Sequence, residues 1–307
     1  MIILHDPRCA EYARPGHVER PARVTRARPL LRERHPDWEW RLPEIADDAT
    51  LLRAHTAEHL EAIRAARADF DADCPAYPNI YEHAARATGA AVAVARTALA
   101  GEQSFSLMRP PGHHALRDQV MGFCYFNHIV LAALDAIENG AERVAIWDFD
   151  AHHGNGTEAL VAGHPQIAFA SIHQLPGWPG TGAKSFGNIH NFPVPPETAR
   201  VDHMGVIEAA LQILLKLKPS LLLVSAGFDA YIGDPITQLK LQPEDFATCG
   251  KLLRHAGVPA GAILEGGYSD ELPELIDAFL TAWSDPTDCH DGEAVRSQLA
   301  KKTLCPP

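Results

Sequence analysis

Six cysteines occur in the 307 residues, yet no two are spaced as C-x-x-C: Cys9, Cys74, Cys124, Cys249, Cys289 and Cys305 are scattered. That pattern argues against a clustered thiol site, and a reducing cytoplasm is the expected setting. No apolar run is long enough to span a bilayer and no signal-peptide pattern opens the chain, so no membrane association is expected. Positive charge is in deficit, with 27 Lys+Arg against 39 Asp+Glu and a formal net charge of −12. Nonspecific nucleic-acid binding, which needs cationic side chains to displace counterions, is therefore disfavoured, while a cationic substrate is attracted as a field effect. Linkers, low-complexity runs and repeats are absent as well. One domain over residues 1–307 is expected, with a peripheral tail from about residue 285, where apolar periodicity stops.

An alternation of helix and strand signals fills the rest. Helical patterns are predicted at Arg20–Arg34, Ala57–Ala66, Ile80–Ala100, Phe126–Glu138, Val201–Leu217, Pro243–His255 and Asp270–Trp283. Strands are predicted near Ile2–Leu4, Ser104–Met108, Val144–Asp148, Ile167–Ser171, Leu221–Ser225 and Ala262–Leu264. This order implies an α/β fold built on a parallel sheet.

Polar residues gather where these strands end. Val144–Trp147 runs into Asp148-Phe149-Asp150-Ala151-His152-His153-Gly154-Asn155-Gly156, with Gly-Asn-Gly read as the strand breaker. Residues two apart on extended chain face the same way, so Asp150 and His152 share a side and His153 points to the other. An Asp oxygen and a His nitrogen suit zinc, whose N and O ligands lie at about 2.0–2.2 Å. Leu221–Val224 ends in Ser225-Ala226-Gly227-Phe228-Asp229 and then Gly233-Asp234-Pro235, and Ala262–Leu264 ends in Glu265-Gly266-Gly267-Tyr268. Open parallel sheets place their ligand sites at such carboxyl ends.

The segments RPPGHHA (109–115), GFCYFN (122–127), DFDAHHGNGT (148–157), SIH (171–173), PGTG (179–182), SAGFDA with GDP (225–235) and EGGY (265–268) occur in one order. In these the chain resembles the zinc-dependent histone deacetylase and acetylpolyamine amidohydrolase superfamily. Asn155, where class I members usually carry Asp, points to a class II-like bacterial member. The resemblance implies a three-layer, arginase-like architecture and amide hydrolysis by metal-activated water. It makes Asp150, His152 and Asp234 the ligands of Zn²⁺, with Fe²⁺ as the other metal weighed. His114 becomes the general base, His113 its electrostatic partner oriented by Asp148, and Asn155 the group on the far nitrogen of His114. Tyr268 becomes the oxyanion donor, a position held by His in some weakly deacetylating class II relatives. Cys124 in the tunnel motif is expected to pack, not to attack.

For the substrate, the resemblance implies a tunnel walled by Phe123 and Trp178, the carbonyl of Gly122 accepting from the substrate nitrogen, and Gly267 beside Tyr268. Asp73 matches a rim aspartate that holds peptide backbone amides. Leu241, seven residues after Asp234, stands where polyamine-selective relatives carry an acidic gatekeeper. A structural K⁺ is expected beside the metal on backbone oxygens of Asp148, Asp150 and His152, with Ser171 and the carbonyl of Ile172. Arg23 is expected to line an exit channel. These features rank an acyl-lysine protein or peptide first as substrate and an acetylpolyamine second. A catalytically weak acyl-lysine binder is a third reading, opposed by the complete set of polar residues. An arginase-type dimetal hydrolase is opposed by the tandem His113-His114 and the EGGY tyrosine.

Overall fold

The computed structural model describes residues 1–286, so Cys289, Cys305 and nearly all of the expected tail lie outside the described residues. Eight strands form one sheet: β1 (Ile2–Leu4), β2 (Glu39–Arg41), β3 (Ser104–Ser106), β4 (Val144–Asp148), β5 (Ile167–Gln174), β6 (Ile189–Val194), β7 (Leu221–Ala226) and β8 (Ala260–Leu264). Their spatial order is β2-β1-β3-β8-β7-β4-β5-β6, and every pairing is parallel. Because both faces of such a sheet are covered, its central strands carry long apolar runs, with polar residues such as Asp148, His173 and Ser225 toward their carboxyl ends. β4, β5, β7 and β8 are accordingly buried at every residue.

Among the described residues, ten α-helices flank the sheet: α1 (Ala22–Thr25), α2 (Ala27–Arg34), α3 (Asp48–Leu51), α4 (Ala57–Arg64), α5 (Ile80–Leu99), α6 (His128–Glu138), α7 (Asn155–Val161), α8 (Arg200–Lys216), α9 (Pro243–Arg254) and α10 (Leu272–Ser284). The long, alanine-rich α5 packs on α6 and β8, while α9 packs on α10 and α10 on α2. Small side chains on α5 (Ala84, Ala87, Ala91, Ala95, Ala98) let it lie close to its neighbours.

Three departures from the sequence expectation have physical causes. The segment read as one helix over Arg20–Arg34 is split into α1 and α2, because Pro29 has no N–H with which to continue the earlier turn. β2 and β6 were not anticipated: both lie at sheet edges, where one face or one ladder stays open and no continuous apolar run is required. Pro193 sits in β6 without penalty because an edge strand can spare an N–H. Finally, the Gly-Asn-Gly read as a breaker starts a helix, with Asn155 as the first residue of α7.

Candidate active site

Four adjacent strands, in the order β3-β8-β7-β4, deliver the polar residues to one end of the sheet. His113 and His114 follow β3, Asp150 and His152 follow β4, Asp229 and Asp234 follow β7, and Tyr268 follows β8. Asp148, the last residue of β4, is in register with Ser171 of β5 and Ser225 of β7.

Asp150, His152 and Asp229 form the metal-competent cluster, with ligand-type atoms all within 4.8 Å of one another. Nδ1 of His152 lies 2.8 Å from Oδ2 of Asp229 and 3.3 Å from Oδ1 of Asp150. The remaining oxygens are spoken for: Asp150 Oδ2 accepts from the Gly266 N–H (2.7 Å) and Asp229 Oδ1 from the Ala151 N–H (2.8 Å). Gly266 has to be glycine, because a Cβ there would run into the carboxylates of both Asp150 and Asp229. Two carboxylates and one imidazole in a buried cradle fit a divalent ion of borderline softness such as zinc.

The expectation that Asp234 completes this cluster is corrected. Asp234 instead accepts the backbone N–H groups of Tyr268 (2.8 Å) and Ile236 (3.1 Å), tying the Tyr268 turn to the loop after β7. Burial, together with the neighbouring Asp229, raises its pKa to about 7. The rim assignment that counted from Asp234 moves with it. Leu241 is fully buried in the core, and Ile236, seven residues after Asp229, lines the mouth in its place.

The tandem histidines sit beside the cluster with their rings 3.9 Å apart. His113 Nδ1 is 2.9 Å from Asp148 Oδ2, and its Nε2 is 3.7 Å from Asp150 Oδ1. Burial acts against protonating His113, but Asp148, Asp150 and Glu265 outweigh it and hold its pKa well above the usual imidazole range. For His114, burial and then the His113 and His152 rings push the other way, well below that range. His114 Nδ1 lies 2.8 Å from Asn155 Oδ1, while Asn155 Nδ2 donates to the Met121 sulfur. An amide oxygen only accepts, so Nδ1 of His114 is the protonated nitrogen and Nε2 carries the lone pair.

Glu265 is a site residue that motif reading passed over. Its buried carboxylate accepts the N–H groups of Gly112 (2.7 Å) and His113 (3.2 Å) and the Ser225 hydroxyl (3.3 Å), which fixes the backbone of the tandem histidines. Only its position at the end of an apolar strand could have signalled this. His153 is buried on the opposite side, as alternation predicts, between Thr181 Oγ1 (2.7 Å) and Glu158 Oε2 (3.1 Å).

A cavity of about 190 Å³ leads to these groups, lined by Asp73, Gly122, Phe123, Trp178, Ile236 and Tyr268 above His114 and His152. Gly122 adopts φ +54°, and a Cβ on it would strike Trp178 and His114, so the approach of those rings requires glycine. Trp178 meets His114 edge-on at 4.7 Å, and Phe123 meets Tyr268 edge-on at 5.5 Å. Cys124 donates to the Gly122 carbonyl (3.3 Å) from a fully buried position, the packing role expected of it. Gly267 is absent from the lining: its carbonyl accepts from Arg23 Nε (2.7 Å). Arg23 itself is buried beside the Tyr268 ring. No described helix is long and apolar enough to cross a membrane.

With the site defined, comparisons with known proteins bear on its identity. Residues 17–283 match the Histone deacetylase domain. The chain is 35% identical to the histone deacetylase-like amidohydrolase of Pseudomonas aeruginosa, over 84% of this chain and 74% of that protein. It is 33% identical to the polyamine deacetylase HDAC10 of Homo sapiens, over 99% of this chain and 49% of that protein. Among solved structures, the HDA15 HD domain superposes with a TM-score of 0.84 at 27% identity, over 99% of this chain and 94% of that one. Eight parallel strands, a metal-competent Asp-His-Asp cluster and these similarities lead to one conclusion: the chain belongs to the histone deacetylase family of deacetylases and amidohydrolases.

Proposed function

We propose that the protein hydrolyses an N-acetylated amine carried on a methylene stem, releasing the primary amine and acetate, and that its substrate is a small cationic acetylated amine of the acetylpolyamine type. The observation that carries this is the exposed carboxylate of Asp73 at the mouth of a narrow apolar passage above the Asp150-His152-Asp229 cluster. Phe123, Trp178 and Ile236 can enclose a methylene stem, whose burial contributes roughly 0.8 kcal/mol per CH₂. Asp73 then meets a second ammonium further along it. The polyamine activity named for the human relative supports this reading over the protein acyl-lysine ranked first from sequence. Acyl-lysine in a peptide is the second reading, favoured by the uncharged Ile236 at the gate.

Asp150, His152 and Asp229 would hold the metal, and when bound a divalent ion supplies Lewis acidity that lowers the pKa of water and polarises an amide carbonyl. His114 Nε2 takes the proton of the attacking water and returns it to the departing amine nitrogen. His113, paired through Nδ1 with Asp148, stabilises negative charge that develops beside it. Tyr268 donates to the carbonyl oxygen as it gains charge. Asp148 and Ser171, partners across β4 and β5, would hold a structural potassium ion together with the backbone oxygens of Asp150, His152 and Ile172.

Two measurements test these assignments. Asp73→Asn should lower kcat/KM on an acetylpolyamine roughly 2- to 5-fold at low salt and less at high salt, since an exposed ion pair is screened. On an acetyl-lysine peptide the loss should not depend on salt, and a higher wild-type kcat/KM on that peptide would decide for the second reading. Asn155→Asp places a carboxylate against Nδ1 of His114 and raises the pKa of this ring. The base works only when neutral, so the acid limb of the kcat/KM profile should move to higher pH by about one unit. An unmoved limb would take His114 out of the base role.

A further inference from the structure

We infer that Glu19 is the positioning residue that sets Tyr268 through Arg23, an inference that rests on the oxyanion role proposed for Tyr268. Glu19 belongs to no strand or helix that carries the site, yet its side chain is 2% exposed. Its carboxylate is shared by two buried guanidinium groups. Arg109 holds both oxygens, Nε to Oε1 at 2.5 Å and Nη2 to Oε2 at 2.8 Å, while Arg23 Nη1 lies 3.3 Å from Oε1.

Arg23 has its other donors on the Tyr268 turn. Nε donates to the carbonyl of Gly267 at 2.7 Å and Nη2 to the carbonyl of Glu265, and the guanidinium lies over the Tyr268 ring at 4.9 Å from its centroid. One side chain therefore holds the backbone on the N-terminal side of Tyr268 and one face of its ring. With these donors engaged, Arg23 works as a clasp on the Tyr268 turn. Arg109, on the other side of Glu19, opens the segment that ends in His113-His114. A single carboxylate thus joins the proton-handling segment to the tyrosine that faces it.

Segment 17–23 makes a second approach to the same ring. His17 meets Phe123 edge-on at 5.0 Å, and Phe123 meets Tyr268 at 5.5 Å. Without the charge of Glu19, two buried cations would face each other across a gap, and Arg23 would be the one to move. It stands on the four-residue α1, whereas Arg109 is further held by the Cys9 carbonyl (2.8 Å) and by the face of Tyr12.

Reacting groups misplaced by a fraction of an ångström lose rate without losing binding, so Glu19→Gln should lower kcat roughly 10- to 100-fold with KM within about twofold. In a Tyr268→Phe background the same substitution should cost little further, since the group it positions is gone. Equal costs in both backgrounds would overturn the inference, because a merely structural role acts on both alike. Glu19→Asp, which keeps the charge, should restore part of kcat. A readout independent of turnover is the spectrum of protein labelled with ¹³C in its tyrosine rings. The Tyr268 signal, assigned by its loss in Tyr268→Phe, should shift in Glu19→Gln while that of Tyr81 stays in place. An unmoved Tyr268 signal in the folded variant overturns the inference. If Glu19→Gln does not fold, Glu19→Asp carries the same spectrum, with a smaller shift expected. If the wild type cleaves no acylated amine, the proposed function fails, and the spectrum alone decides the role of Glu19.

Discussion

Asp229→Ala should leave the purified protein without stoichiometric divalent metal and lower kcat/KM by on the order of 10³, the loss expected when several kcal/mol of Lewis-acid stabilisation disappear. Asp229 contributes one of two carboxylates to a three-residue cluster, and its Oδ2 lies 2.8 Å from the only imidazole in it. An aspartate and a histidine alone make a weak chelate, so the ion should be lost on dialysis. Asp234→Ala gives the contrast. Its carboxylate holds the N–H groups of Tyr268 and Ile236 and contributes nothing to the cluster, so metal content should stay near one per chain while activity falls about 10- to 100-fold. Elemental analysis of the two variants, purified side by side, separates the roles. Metal retained by Asp229→Ala and lost by Asp234→Ala would restore the assignment made from sequence.

The reversal of these two aspartates marks where sequence reading stops. Asp150 and His152 could be paired because they are two apart on an extended segment, and a period of two decides which side a residue faces. Asp229 and Asp234 lie beyond the end of β7 in a loop whose turns have no period, and either could have pointed inward. The gate followed the same fork: seven residues from Asp234 is a core leucine, and seven from Asp229 is Ile236 in the mouth. The central strands were legible because burial on both faces demands unbroken apolar runs. Edge strands β2 and β6 face no such demand and left no pattern. Glu265 and Glu19 were illegible for another reason. Each acts through hydrogen bonds to distant backbone or to another side chain, contacts that only the assembled fold brings within reach.

Tyr268→Phe should lower kcat by about 10²–10³, equivalent to about 2.7–4 kcal/mol of transition-state stabilisation, with KM nearly unchanged. The substitution is clean because everything that places the ring is kept. The edge of Phe123, the Arg23 guanidinium over its face and the Asp234 carboxylate on its backbone N–H do not involve the hydroxyl. Only a donor is removed, and a donor that strengthens as the carbonyl oxygen gains charge contributes to turnover, not to ground-state binding. Burial raises the Tyr268 pKa well above the usual phenol value even though Arg23 opposes the shift, so the proton stays in place across any practical assay range. The alkaline limb of the wild-type profile must then arise elsewhere, and it should survive unmoved in Tyr268→Phe at its lower rate. A profile whose alkaline limb disappears in the variant would mean that Tyr268 titrates during turnover. Wild-type kcat in the variant would leave the oxyanion without this donor and return the charge stabilisation to His113 and the metal cluster.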